Sequence, residues 1–166
     1  MYKDGSHQQQ TPFPHFLNLQ CWKIVCVERR YVFIFLNRIN FSVFIYFFQE
    51  CSFNKLYIDT TLKVSYQGNI REYSHAKCNR WYFKFNGNEC SGPMPIDSVL
   101  FNRWSSGIPS GILRPHFFEG FCENLPQGTV RVELWVGKCA RFPLGEAYTG
   151  WNSVSRIMIE EVPPPQ

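Results

Sequence analysis

The stretch Cys78-Asn-Arg-Trp-Tyr-Phe-Lys-Phe-Asn-Gly-Asn-Glu-Cys-Ser-Gly-Pro93 decides how the chain is read. Trp81, Phe83 and Phe85 alternate with Arg80, Tyr82 and Lys84. A period of two places the two sets on opposite faces of a strand. Asn86 and Gly87 follow, two residue types that tolerate the positive φ a tight hairpin turn demands. Cys78 and Cys90 bracket the unit. The sequence therefore predicts an aromatic-faced hairpin, tied to its surroundings by disulfides. The aromatics read as core, and nothing in the stretch looks like a catalytic loop.

The same texture extends in both directions. Leu62, Val64 and Tyr66 alternate with Lys63 and Ser65, and Gln67, Gly68 and Asn69 read as a turn. Ile96–Phe101 reads as a strand, 104–112 as a surface loop, and Leu113–Phe121 as a strand with Phe117 and Phe121 on one face. Thr129–Gly137 is the clearest strand. Val130, Val132, Leu134 and Val136 are expected to face in, with Arg131, Glu133 and Trp135 facing out. Residues 142–150 read as a loop. Ser153–Val162 reads as a last strand, with Ile157 and Ile159 opposed to Arg156, Met158 and Glu160. Roughly seven short strands at turn-punctuated intervals, with no strong helical period, mean an all-β sandwich or barrel. The expected division is an N-terminal segment over 1–49, a globular head over 50–162 and a Pro-rich tail over 163–166.

Composition supports a β-rich core and excludes several function classes. Phe alone contributes 16 residues and aromatics 17%, which suits a buried sheet. The net charge of +4 is small and no Lys/Arg run exists, so nucleic-acid binding is not expected. Gly145 and Gly150 flank a loop that lacks the Lys-Ser/Thr of a phosphate-binding loop. Asp97, Glu119, Glu123 and Glu133 lack calcium-loop spacing. His75 lies near Cys78, but no family signature surrounds the pair. Together with Cys90 they do not make the four close-spaced ligands of a structural zinc site. A disulfide cysteine beside a surface histidine is the preferred reading, with no catalytic residue, metal or cofactor.

The chain has seven cysteines and no Cys-x-x-Cys pair. Such spacing favours disulfides, hence an oxidising compartment. An odd count leaves one thiol free or paired between chains. The polar start, Met1 to Gln10, shows no apolar signal-peptide core, and residues 1–16 are expected to be disordered. Residues 31–48 are strongly apolar but carry Asn37, Arg38 and Asn40 in the middle. They fit a pair of buried strands, a weak signal anchor, or a segment foreign to the mature protein. The last reading is placed first, because Phe, Ile, Tyr, Asn and Leu are the products of AT-rich codons. Asn40, Phe41 and Ser42 match a glycosylation sequon, which makes Asn40 a candidate.

Three blocks also carry a resemblance. Cys78–Ile96, Val132–Cys139 and Thr149–Glu161 closely resemble the C-terminal domain of the collagen triple helix repeat-containing protein 1 family. The resemblance runs from about Glu50 to Val162, and Asn18–Trp22 extends it weakly upstream. It implies a secreted, non-enzymatic extracellular-matrix protein. Family members combine a signal peptide, a Gly-X-Y collagen segment and this head. They form trimers, influence collagen deposition and cell migration, and bind Wnt ligands and Frizzled-type receptors. The implied head is a jelly roll like those of the complement and tumour-necrosis-factor superfamily. The chain departs from the family in three ways. No Gly-X-Y repeat or signal peptide is visible, Tyr73 and Lys77 stand where the family has cysteines, and 31–48 has no counterpart.

Three expectations follow for sites and assembly. Cys21, Cys51, Cys78, Cys90, Cys122 and Cys139 should form the structural disulfides, with Cys26 the odd thiol and the pairing left open. Tyr82, Trp135 and Met158 point away from the predicted core, and such residue types are enriched at interfaces, so they are candidate contacts of a homotrimer. The protein should be extracellular and bind extracellular proteins. It would meet the membrane only if 31–48 is a signal anchor, the runner-up being a single-pass ligand with the same head outside. An enzyme using His75 and Cys78 comes a distant third.

Overall fold

The computed structural model describes residues 23–28, 32–33, 46–103, 111–150 and 153–163. Its regular elements are all strands: β1 (Lys23–Glu28), β2 (Val32–Phe33), β3 (Tyr46–Lys55), β4 (Thr61–Glu72), β5 (Lys77–Phe85), β6 (Asn88–Glu89), β7 (Asp97–Asn102), β8 (Ile112–Cys122), β9 (Gly128–Lys138), β10 (Ala147–Thr149) and β11 (Ser155–Val162). Two antiparallel sheets form a β-sandwich. One has the order β1-β11-β4-β10-β2, with β8 on the other side of β4. The second has the order β3-β9-β5-β6, with β7 also paired to β5. Successive long strands change sheets, from β3 to β4 to β5 and from β8 to β9 to β11, so the connections cross the sandwich in jelly-roll fashion.

The alternation seen in the sequence fills the space between the sheets. Trp81, Phe83, Val130, Val132, Leu134 and Val136 from one sheet meet Leu62, Val64, Tyr66, Ile157 and Ile159 from the other, and all are fully buried. Burying a side chain of this size contributes roughly 1.5–3 kcal/mol each. Phe118 of β8 joins the layers, its ring 5.5 Å from Tyr66 and 5.4 Å from Phe83. Asn86 (φ 50°) and Gly87 (φ 88°) are both left-handed and link β5 to β6, as their types predict.

Several expectations change. The predicted turn at Gln67–Asn69 is continuous strand, with Gly68 opposite His116 of β8. Glycine is there for space, since a Cβ would lie 2.5 Å from the Tyr66 hydroxyl and 3.2 Å from Ser155 Cα. It marks where β4 changes partner, from β11 up to Gln67 to β10 from Ile70. The expected loop over 142–150 contains β10. β1, β2 and the first residues of β3 also extend the sheets N-terminal of residue 50, where the head was expected to begin. Most of 31–48 lies outside the described residues, as do the disorder expected over 1–16 and most of the loop expected over 104–112. Among the described residues no helix is long and apolar enough to cross a membrane.

Candidate interaction surface

Six cysteines are joined as Cys26–Cys51, Cys78–Cys139 and Cys90–Cys122, with Cα–Cα distances of 6.2, 5.6 and 5.7 Å. The expectation that Cys26 is the odd thiol is therefore corrected. Cys26 stands opposite Ile157 on β11 and so turns inward with it, towards Cys51 on the opposing sheet. The sequence concealed this because β1 finds its partner at the far end of the chain. Cys21, like Asn40, lies outside the described residues. Cys78 and Cys90 belong to different disulfides, so neither the His75–Cys78 pair nor a zinc site with His75 is assembled. No cluster of three or more potential metal-ligating side chains occurs among the described residues.

The three outward residues singled out for an interface lie on opposite faces of the molecule. Tyr82 and Trp135 are direct cross-strand neighbours on the outer face of the second sheet. Side chains of β5 already cover both. The Arg80 guanidinium lies 4.6 Å from the Tyr82 ring centre and the Lys84 ammonium 4.4 Å from that of Trp135. Trp135 Nε1 donates to Glu133 at 3.4 Å. Arg80 is in turn fixed by Glu89 and Asp97, and these carboxylates raise its pKa still further. Tyr82 retains only 4% of its accessible surface. An outward direction was legible in the sequence, but cover was not: Lys84 reaches Trp135 from the adjacent strand, and Glu89 of β6 and Asp97 of β7 hold Arg80 over Tyr82.

Met158 lies on the outer face of the first sheet, and the register there builds a grid. One row across β8, β4 and β11 is Phe117–Gln67–Arg156, the next Glu119–Ser65–Met158, the third Phe121–Lys63–Glu160. Lys63 bridges Glu119 at 3.1 Å and lies 5.9 Å from the Phe121 ring centre. Leu113, Phe117 and Phe121, one edge of this face, remain 43%, 56% and 45% exposed. Phe117 stands between two hollows. One, of about 260 Å³, is lined by Asn69, His116 and Arg156 among others, and one of about 100 Å³ reaches Met158. His116 Nε2 is hydrogen-bonded to Ser98 Oγ, and burial lowers the imidazole pKa. The grouping of Phe117 and Phe121 was visible in the sequence, but their exposure was not, because only the partner strands decide which face of β8 is covered.

A family model then bears on the whole assembly of strands: that of the CTHRC1 C-terminal domain matches residues 37–159. The chain belongs to that family. The match runs from ahead of β3 into β11 and takes in both the aromatic hairpin and the phenyl row. CTHRC1 membership suggests a secreted extracellular-matrix protein, and the family is not known for enzymatic activity. Three disulfides within an all-β head point to the same extracellular setting.

Proposed function

We propose that this chain is the non-catalytic head of a secreted matrix or signalling protein that works as a homotrimer and binds extracellular protein partners. The observation that carries the reading is the exposed row Leu113, Phe117 and Phe121 on β8. Three large exposed apolar side chains on one face of an edge strand, interrupted by Pro115 and Glu119, are more than a solvated surface needs and favour burial against protein. A trimer contact is heterologous, a projection of one copy meeting a different patch of the next. Phe117 is the projection, and the hollow that it borders, floored towards Met158 and Glu160, is the receiver for the Phe117 of the next copy. Tyr82 and Trp135, packed under Arg80 and Lys84, stay outside that contact. By family resemblance the partners are Wnt ligands and Frizzled-type receptors, and the process is cell migration and collagen-matrix deposition.

The partner reading is tested by passing the chain, made in an oxidising host, over immobilised Frizzled-type ectodomain with and without Wnt ligand. Saturable binding lost on reduction supports it. Absence of binding at micromolar concentration removes that partner class and leaves the assembly question to the size measurement described below.

A further inference from the structure

Glu72, the last residue of β4, is fully buried at one end of the sandwich interior. Its Oε1 accepts the Ser74 N–H at 2.7 Å, and its Oε2 has no hydrogen-bond partner. Asn79 of β5, also fully buried, has an unpartnered Nδ2. Both side chains converge on Gly145. Asn79 Oδ1 accepts the Gly145 N–H at 3.0 Å. A Cβ on Gly145 would lie 2.3 Å from Glu72 Oε1, so the carboxyl packs directly against the Gly145 backbone. Around this point the segment leading into β10 is stitched to the turn after β4. Glu146 N–H donates to Ser74 Oγ at 2.8 Å, Tyr73 N–H to Glu146 O at 3.3 Å, and Cys78 N–H to Pro143 O at 3.1 Å.

A buried carboxylate with one oxygen left unpartnered is costly, whereas a carboxylic acid at the same place is not. We propose that Glu72 is a proton-controlled latch: protonated, its carboxyl stays packed under Gly145 and residues 143–146 close over the end of the sandwich, and ionised, it seeks water and favours opening of that segment. The same loop carries Phe142, whose ring lies tilted against Phe101 of β7 with centres 4.6 Å apart, so opening would withdraw one half of an exposed aromatic pair.

The charged groups around the latch agree with this assignment. Burial pushes the Glu72 carboxyl up to about 7; the Ser74 amide and hydroxyl pull it down, the Glu146 carboxylate ahead of β10 pushes it up, and Lys77 of β5 pulls it down. β7 and β8 present neutral groups, Asn102 donating to the Glu72 carbonyl at 3.3 Å and Ile112 standing opposite in register. Arg71 lies against the rings of Tyr73 and Tyr148, and the Tyr148 hydroxyl donates to Glu146. The sign is fixed. A carboxyl whose pKa is raised in the closed state favours closure at low pH and opposes it as pH rises through 7.

Two measurements on the full chain test the latch. The first is an NMR titration of the Glu72 carboxyl, expected to have its midpoint near 7; a midpoint below 5 overturns the proposal. The second is amide hydrogen exchange of residues 143–147, corrected for the intrinsic pH dependence of exchange. Between pH 6 and 8 the opening constant should rise about tenfold, from the difference between the closed carboxyl and an ordinary one in the open state. Glu72→Gln should abolish that rise. Persistence of the rise in Glu72→Gln, or its loss in His75→Gln of the neighbouring turn, would show that another group controls the loop. Should Glu72→Gln fail to fold, the carboxyl titration of the unaltered protein still decides the matter.

Discussion

The indole N–H of Trp81 donates to Thr149 Oγ1 at 3.0 Å, joining the centre of one sheet to the short β10 strand of the other. Trp81 is fully buried, so that donor has no access to water if the hydroxyl is removed. Thr149→Val keeps the shape and deletes the acceptor. It should destabilise the head by about 1–3 kcal/mol, as expected for a stranded buried donor, while Thr149→Ser should be close to neutral. Urea unfolding followed by tryptophan fluorescence measures both. Equal losses for the two substitutions would show that packing of the threonine methyl matters more than the bond.

Glu161 predicts the acid limb of stability. Burial would raise its carboxyl. The Thr60 hydroxyl, the Leu56 and Tyr57 amides and the Lys55 ammonium outweigh burial and hold it below the usual carboxylate range. A depressed folded-state pKa contributes stability above the unfolded value that is lost as pH falls through the folded value. Stability should therefore decline below about pH 4.5, the ordinary range of a glutamate. Glu161→Gln should remove part of that decline and cost about 2 kcal/mol or more at neutral pH, because two backbone amides lose a charged acceptor. Urea midpoints at pH 3.5 and pH 7 check this. A variant whose pH profile parallels the parent would assign the acid limb elsewhere.

The disulfide pattern makes a separate prediction. Non-reducing peptide mapping should return Cys26–Cys51, Cys78–Cys139 and Cys90–Cys122. Replacing Cys90 and Cys122 together by Ala should lower stability by about 2–4 kcal/mol, the usual effect of opening a loop of this size. A map with Cys26 unpaired and Cys51 bonded elsewhere would displace β1 from its place beside β11.

Much of the fold was written in local alternation. Trp81, Phe83 and Phe85, and Val130 to Val136, declared their buried faces because a strand's period is visible without knowing its neighbours. The Asn86–Gly87 turn was legible for the same local reason. What stayed hidden depends on residues distant in the chain. Gly68 looked like a turn because its need for space arises from Tyr66 and Ser155, the latter reached only through β11. Tyr82 looked available because the strand pattern gives direction and not cover. Cys26 looked superfluous because its disulfide partner lies across the sandwich. Glu72 and Glu161 carried no signal, since a glutamate pattern cannot tell a solvated carboxylate from one sealed against a loop.

The phenyl face separates two accounts of the outward aromatics. Phe117→Glu should dissociate the assembly into folded monomers, since it places a charge in the centre of the proposed contact. Trp135→Glu should leave assembly intact and cost at most about 1 kcal/mol in stability through the lost Lys84 contact. Sedimentation velocity on both variants reads the difference. Dissociation by Trp135→Glu with Phe117→Glu unaffected would move the interface to the opposite sheet.

The proposed trimer forms through the β8 face without help from a collagen stalk. Light scattering coupled to size exclusion, on the chain from an oxidising host at micromolar concentration, measures it directly. The predicted result is a single species at three times the 19.6 kDa chain mass. A monodisperse monomer would contradict that assembly and leave the exposed phenyl row to a different partner.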